Sequence, residues 1–250
     1  MLKDKKSKIV GVIPARYQSS RFPGKPLADI CGKPMIWWVY QQCIKVSELD
    51  EIIVATDDSR IESVCRQYGM KVMMTSDKHP TGSDRVGEVA NKIAGDLFIN
   101  IQGDEPVIEP DMIRQVIRIF DDPAVYFGTL KREITDREQI EAFSTVKVVT
   151  DINGDALYFS RSVIPSNIKE GNLAKTYRHV GIYAYKKDFL LEYIKMPQPE
   201  IELGEAIEPL RAMYNGYKIR VAETEYDSIG VDLPEHIESV IIKLKEALYE

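Results

Sequence analysis

Ile9-Val10-Gly11-Val12-Ile13-Pro14-Ala15-Arg16-Tyr17-Gln18-Ser19-Ser20-Arg21-Phe22-Pro23-Gly24-Lys25-Pro26 joins a short apolar run to a turn-rich loop holding three cations, Arg16, Arg21 and Lys25. The apolar run, Ile9–Pro14, reads as a buried strand. A loop of this kind at a strand end aims backbone N–H groups and fixed positive charge toward one anion, and a polyphosphate suits it. It is not a Walker loop, which needs Gly-x-x-x-x-Gly-Lys-Ser/Thr, nor a dinucleotide fingerprint, which needs Gly-x-Gly-x-x-Gly. Composition alone leaves a solvated basic loop open as the other reading.

The pattern beyond this loop is that of βαβ units. Glu51–Thr56, Lys71–Thr75 and Leu97–Gln102 read as further strands, and Pro34–Val46, Ser59–Tyr68 and Ser83–Ala94 read as helices with apolar residues three and four apart. The predicted fold is α/β: a mostly parallel, Rossmann-like sheet with helices on both faces, and ligands at the carboxyl ends of its strands. After Pro110 the regularity changes. A helix near Asp111–Phe120 precedes strand-like Tyr126–Lys131, then Thr145–Thr150 and Ala156–Ser160, with Asn153-Gly154 between them as a hairpin signal. Asp151–Asp155 is not a calcium loop, because Ala156 stands where that loop needs glycine and Ser162 where it needs glutamate. Ile237, Val240, Ile241, Leu244 and Leu248 form one stripe of a closing helix.

The 250 residues, 44% of them apolar, suffice for one large domain spanning 1–250. Asp and Glu number 39 against 33 Lys and Arg, a balance that excludes general attraction to nucleic acid or to an anionic membrane surface. A phosphate site must then be a local cluster. Cys31, Cys43 and Cys65 are odd in number and widely spaced, which fits reduced thiols in a cytoplasmic protein rather than disulfides or structural zinc. Met1–Lys8 reads as a solvated tail without the apolar stretch of a secretory signal, and no window is long and apolar enough to insert in a membrane.

A series of motifs turns these features into a family resemblance. Pro14–Pro26 followed by Cys31-Gly32-Lys33-Pro34-Met35-Ile36 is similar to the N-terminal signature of sugar-activating nucleotidyltransferases, and Arg21-Phe22-Pro23-Gly24-Lys25-Pro26-Leu27 resembles the 3-deoxy-manno-octulosonate (KDO) cytidylyltransferases. Val54–Asp58, Thr75-Ser76, Thr81–Arg85, Asn100–Pro106, Val146–Val149, Ala156–Arg161, Arg178–Tyr185 and Gly230–Asp232 match the same family in order along nearly the whole chain. Phe22, where relatives commonly carry leucine, and Pro209, where they commonly carry glutamine, depart from the pattern.

The resemblance implies a nucleotidyltransferase fold with an inserted β-hairpin region. It implies transfer of CMP from CTP to KDO or a close analogue for lipopolysaccharide or capsule synthesis, with residues 1–110 mainly binding CTP and 111–250 mainly binding the sugar acid and forming a homodimer. It places Arg16, Arg21 and Lys25 on the triphosphate, a catalytic set completed by Asp104 and Asp232, which hold Mg²⁺. CTP is further expected against Ala15, Ser19, Thr75, Ser83, Asp84, Arg85, Gln102 and Gly103, with Arg85 and backbone groups reading the base. The sugar acid is expected against Gln102, Arg161, His179, Tyr183 and Glu208. His79 and His236 receive no role, and Arg211 is left as a residue of a surface ion pair.

Competing readings make different demands. Cytidylyltransferases for nine-carbon, sialic-type acids usually end the phosphate loop differently and lack Gln102-Gly103-Asp104-Glu105-Pro106; an amino-octulosonic acid stays open as substrate. A glycosyltransferase needs a spaced Asp-x-Asp, whereas Asp57 and Asp58 are adjacent. A non-catalytic nucleotide-binding protein would be expected to have lost Arg21, Lys25, Asp104 or Asp232, and all four are present.

Overall fold

Strand β1 (Ile9–Ala15) is buried at four consecutive positions, Val10 to Ile13, so both of its faces are covered, as in the centre of an α/β sheet. The structure is a computed structural model that describes residues 7–19, 21–168 and 174–249, with side chains through 246. Most of the tail expected over Met1–Lys8, Ser20 of the loop and the Leu248 side chain lie outside the described residues. Where the sequence predicts one domain, the chain packs as two compact units: Met1–Arg114 with Asp227–Glu250, and Gln115–Tyr226.

In the first unit, a two-residue ribbon of β2 (Asp29–Ile30) and β3 (Lys33–Pro34) leads into α1 (Met35–Ile44). The βαβ pattern then follows through β4 (Glu51–Thr56), α2 (Ser59–Gln67), β5 (Val72–Met74), α3 (Gly82–Lys92) and β6 (Leu97–Asn100). These strands pair in the order β6-β1-β4-β5, all parallel. Val12 sits opposite both Ile53 and Asn100, so β1 lies between β4 and β6 and its end opens where the loop begins. Local chemistry sets the helix starts. Asp58 caps α2 through Arg60 N–H, and Thr81 and Asp84 form a capping box at α3.

The unit boundary falls within α4 (Pro110–Arg118). The second unit holds β7 (Phe127–Ile134), α5 (Arg137–Glu141), β8 (Lys147–Thr150), β9 (Ala156–Ser160), β10 (Thr176–Lys186), α6 (Lys187–Tyr193), α7 (Glu200–Glu205), α8 (Leu210–Tyr214) and β11 (Arg220–Glu223). Strand β10 pairs antiparallel with β7 and β8, β8 pairs antiparallel with β9, and β11 joins β7 in parallel. The Asn153-Gly154 signal does mark the β8–β9 turn, but the loop is longer than two residues. The Asp151 carboxylate accepts from the Asn153 and Asp155 N–H groups, both at 2.8 Å, and closes a five-residue turn with Gly154 at φ 81°.

Phe127, Tyr185, Phe189 and Tyr193 pack their rings together at the centre of this unit. Beside them Arg211 is not a surface residue. It is 2% exposed and donates through Nε and one terminal nitrogen to Glu202, 4% exposed, at 2.9 and 2.7 Å. Burial works against the Arg211 charge, yet donation to Glu202 outweighs it and holds the guanidinium above its ordinary value. Pro209 lies at the start of α8, where a missing N–H costs no helical bond.

The last helix, α9 (His236–Tyr249), returns to the first unit. Val240 and Leu244 are buried there with Ile30, Met35, Val107 and Val231, and Phe22, Ile237 and Ile241 pack against them. Phe22 thus anchors the basic loop in the core through its ring. Val231 does the same for the segment that ends in Asp232.

Candidate active site

The basic loop is shaped from within by Tyr17 and Gly24. Gly24 adopts φ 72°, donates its N–H to the Tyr17 carbonyl at 2.8 Å, and leaves room for the Tyr17 ring 3.1 Å from where a β-carbon would stand. The Arg60 guanidinium lies 3.2 Å above the centre of that ring and is itself held by Asp58. Lys25 starts a short 3₁₀ turn, Lys25–Leu27, directly after this bend. Its side chain is thereby aimed back toward the end of β1.

Gly103 explains how β6 and β1 deliver their ends to one place. A β-carbon at 103 would stand 2.5 Å from the Pro14 carbonyl oxygen, so no other residue fits this approach. This glycine makes room for the neighbouring strand, and its backbone also lines the pocket. The result is a pocket of about 380 Å³ lined by Ala15, Arg16, Ser19, Arg21, Lys25, Gln102, Gly103 and Asp104, together with Pro14, Gln18 and Pro26.

Asp104 and Asp232, far apart in sequence, meet at Lys25. Lys25 Nζ is 2.6 Å from Asp104 Oδ2 and 3.7 Å from Asp232 Oδ1, and Arg21 donates to the same Asp232 oxygen at 2.9 Å. The backbone fixes the pairing, since Val231 N–H donates to the Asp104 carbonyl at 2.8 Å and Asp232 N–H donates to His236 Nδ1 at 3.2 Å. Two carboxylates that already converge on one positive charge form the hard-oxygen donor set that suits Mg²⁺ completing its shell with phosphate oxygens and water. Among the described residues no group of three or more Asp, Glu, His or Cys could hold a metal alone. A substrate-completed site is the kind these residues fit.

Arg16 lines the pocket from the opposite side. Its Nη2 donates to the carbonyls of His79 at 2.5 Å and Thr81 at 3.0 Å. The remaining predicted CTP residues are not in the pocket lining. Arg85 is fully buried, pairs with Asp57 at 2.7 Å and donates to Thr75, whose hydroxyl in turn donates to the Thr56 carbonyl at 3.1 Å. Ser83 is buried beside Asn100, and Asp84 spends its carboxylate on the capping box at Thr81. Arg85 and Thr75 tie α3 to the ends of β4 and β5, Ser83 ties it to the end of β6, and Asp84 caps its start.

In the second unit, two of the predicted sugar-acid residues meet. The rings of His179 and Tyr183 lie 5.4 Å apart, and Thr129 Oγ1 is 3.0 Å from His179 Nε2. Part of His179 reaches solvent, but its imidazole is enclosed by Phe159, Tyr183 and Thr129, and burial lowers its pKa to about 3. It is therefore a neutral hydrogen-bonding group at physiological pH. Arg161 donates its guanidinium to three carbonyls, those of Glu205 at 2.7 Å, Phe143 at 2.8 Å and Ala206 at 3.2 Å. Ala206 has φ 52°, so Arg161 serves a strained backbone turn after α7. Glu208 follows this turn, and its carbonyl accepts from Tyr193 Oη at 2.8 Å.

Comparison with known proteins identifies the family. Residues 10–219 match the cytidylyltransferase family model. A 3-deoxy-manno-octulosonate cytidylyltransferase of Geobacter sulfurreducens is 48% identical over 248 residues, covering 95% of this chain and 99% of the relative. The chain belongs to the 3-deoxy-manno-octulosonate cytidylyltransferases. It is a nucleotidyltransferase with the α/β fold of that family. A solved structure of a CMP:2-keto-3-deoxy-manno-octonic acid synthetase complexed with CTP superimposes with a TM-score of 0.92 at 44% identity, covering 96% of this chain and 100% of that one. The fold reaches further, to a 4-diphosphocytidyl-2C-methyl-D-erythritol synthase of Anaerococcus prevotii at TM-score 0.63 and 15% identity, covering 96% of this chain and 100% of that one.

In the first unit Tyr17, Asp57, Arg60, His79 and His236 fasten or shape the groups described above, and in the second Glu205 holds Arg161; none of them was given a role from the sequence. Tyr17 and Glu205 act through rings or backbone groups of distant residues and carry no local signal. Asp57 falls inside the quoted motif Val54–Asp58, which was the available clue.

Proposed function

We propose that this chain transfers CMP from CTP to 3-deoxy-manno-octulosonate, releasing pyrophosphate. The observation that carries the reading is the convergence of Asp104, Asp232 and Lys25 in a pocket that Arg16 and Arg21 also border. The sugar hydroxyl gives up its proton to solvent and forms a bond to the α-phosphorus as the bond to the bridging oxygen of the β-phosphate breaks, and that oxygen leaves with pyrophosphate. Arg16, Arg21 and Lys25 neutralise the triphosphate and the leaving group. Gln102 and Gly103, at the end of β6, set how closely the α-phosphate approaches the strand ends. Asp104 and Asp232 would hold Mg²⁺, which when bound would supply charge neutralisation at the α-phosphate. Thr75, Ser83 and Arg85 hold the strand ends that frame the base, and Asp84 caps the helix that carries Ser83 and Arg85.

On the acceptor side, neutral His179 and Tyr183 offer hydrogen bonds to hydroxyls. Arg161 acts by holding the turn at Glu205–Ala206 that precedes Glu208. We place the enzyme in the cytoplasm, where CTP is made and where its three free cysteines stay reduced; no helix among the described residues is long and apolar enough to cross a membrane. We also propose a homodimer through the β8–β9 hairpin, where Ile152 is fully exposed and Leu157 is 60% exposed. Sedimentation of an Ile152→Lys, Leu157→Lys variant reads this directly, and an unchanged mass would refute the hairpin interface.

Pyrophosphate release with a panel of nucleotides and sugar acids, with and without Mg²⁺, tests the activity. Release with CTP and the eight-carbon acid, dependent on Mg²⁺, supports it. Release with an amino-octulosonic or a nine-carbon acid instead moves the acceptor assignment, and CTP binding without release from any pair would leave a non-catalytic nucleotide-binding protein.

A further inference from the structure

The segment Ser76–Thr81, between β5 and α3, is fastened at both ends by carboxylates one turn apart on α3. Glu88 accepts from Ser76 N–H at 2.8 Å and lies 2.5 Å from His79 Nε2 through the same oxygen, while its second oxygen accepts from Lys92 Nζ at 2.5 Å. Asp84 accepts from Thr81 N–H at 3.0 Å and from its hydroxyl at 2.7 Å. Of the three residues so fastened, Ser76, His79 and Thr81, the last two offer their carbonyls to Arg16. Both His79 and Glu88 are largely enclosed, with side chains 21% and 20% exposed.

Geometry makes this a chain of command toward the pocket. A carbonyl aims an arginine only if its own peptide plane is fixed, and a surface turn between a strand and a helix has no ladder to fix it. Glu88 supplies the missing constraint twice, at the start of the segment and at the imidazole. Burial opposes ionisation of Glu88, but donation from Lys92, Ser76 and His79 outweighs it and brings its pKa down to about 2, so the carboxylate is charged throughout the physiological range.

We propose that His79 and Glu88 are positioning residues for nucleotide binding: their pair holds the His79 carbonyl, which holds the Arg16 guanidinium toward the triphosphate. The inference rests on the reading of Arg16 as a triphosphate ligand. Because Arg16 binds phosphate before and during transfer alike, loosening it weakens CTP binding more than it slows the chemical step.

Steady-state kinetics on His79→Ala, Glu88→Gln and Arg16→Ala, alone and as the doubles with Arg16→Ala, test it, with thermal melts to confirm folding. KM for CTP is expected to rise about tenfold in His79→Ala and Glu88→Gln, with kcat within about threefold and KM for the sugar acid unchanged. His79→Gln, whose amide nitrogen reaches the place of Nε2, is expected to restore KM. In the Arg16→Ala background the two substitutions should add nothing, since the residue they act through is gone. An unchanged KM for CTP in both His79→Ala and Glu88→Gln, beside a raised one in Arg16→Ala, would overturn this inference and leave the Arg16 reading intact. Full additivity in the doubles would overturn it too. An unchanged KM in Arg16→Ala would overturn the Arg16 reading and this inference with it.

Discussion

Lys25→Met is expected to separate metal binding from turnover, moving the two in opposite directions. The Lys25 ammonium lies between the two carboxylates, at 2.6 and 3.7 Å. Asp104 and Asp232 are 33% and 47% exposed at the side chain, so a water-like dielectric is the appropriate limit. Coulomb attraction in water gives roughly 1.6 kcal/mol for the shorter pair and roughly 1.1 kcal/mol for the longer one. Salt screening and the entropy of holding the side chains reduce the sum to about 1–2 kcal/mol. A divalent cation entering the site must overcome that much competition. Its removal is then worth roughly a 5- to 30-fold gain in affinity.

Titration of the CTP-free variant with Mn²⁺, followed by the loss of the free-ion electron paramagnetic resonance signal, measures this directly. The affinity should rise, and the gap between variant and parent should narrow as ionic strength increases. Turnover with saturating CTP should meanwhile fall by about two to three orders of magnitude, the usual effect of deleting one charge-stabilising donor. Equal or weaker Mn²⁺ binding in Lys25→Met would refute the competition. Undiminished turnover would refute the role of Lys25 at the phosphates.

Glu202→Gln should lower stability by about 3–5 kcal/mol in urea unfolding, because it leaves the buried Arg211 charge without its partner. The double variant Glu202→Met, Arg211→Met should recover most of that loss, and a single-variant cost under about 1 kcal/mol would show that water reaches the pair. Stability should also fall as the pH drops from about 6.5 toward 3. In that window the unfolded His179 binds a proton that the folded one, with its pKa lowered to about 3, refuses. The slope contributed is up to about 1.4 kcal/mol per pH unit, and His179→Gln should remove it; an identical slope in the variant would mean that the imidazole protonates in place.

The parts of the fold that were legible in the sequence are those governed by neighbours along the chain. Glu51–Thr56 and Ala156–Ser160 form strands with the predicted bounds, because their apolar patterns and flanking turns are local information. The basic loop was legible for the same reason. Asp104 and Asp232 were joined by family resemblance alone, since nothing local to Gly230-Val231-Asp232 says that Val231 N–H will bond the Asp104 carbonyl. Arg85, Arg161 and Arg211 were the hardest. An arginine gives one signal in a sequence whether its fork meets a phosphate, a backbone carbonyl or a buried carboxylate. Here Arg161 takes three carbonyls, Arg85 takes the partly exposed Asp57 and Arg211 the buried Glu202, fates decided by contacts whose partners lie on other elements. The change of regularity after Pro110 falls close to the unit boundary inside α4, whereas the return of Asp227–Glu250 to the first unit has no local signal, because its partners lie far back along the chain.

The histidines set aside at first suggest how the site stays organised without substrate. His79 works through its side chain on Glu88 and through its carbonyl on Arg16, and His236 accepts from the backbone N–H of Asp232. Each fastens the backbone behind a charged group rather than touching the pocket. Arg16 keeps its carbonyls, while Arg21 and Lys25 are held by contacts that a substrate can replace, those to the two aspartates. A triphosphate that draws Arg21 and Lys25 to itself frees Asp104 and Asp232 for a cation, and a cation on those carboxylates frees Arg21 and Lys25 for the triphosphate. By linkage, each ligand then strengthens the other by the same factor, beyond any direct contact between them. The magnitude of that coupling is bounded by the ion pairs exchanged, which is why Lys25→Met should gain affinity for a divalent ion on its own and lose the part of the coupling that CTP would have provided.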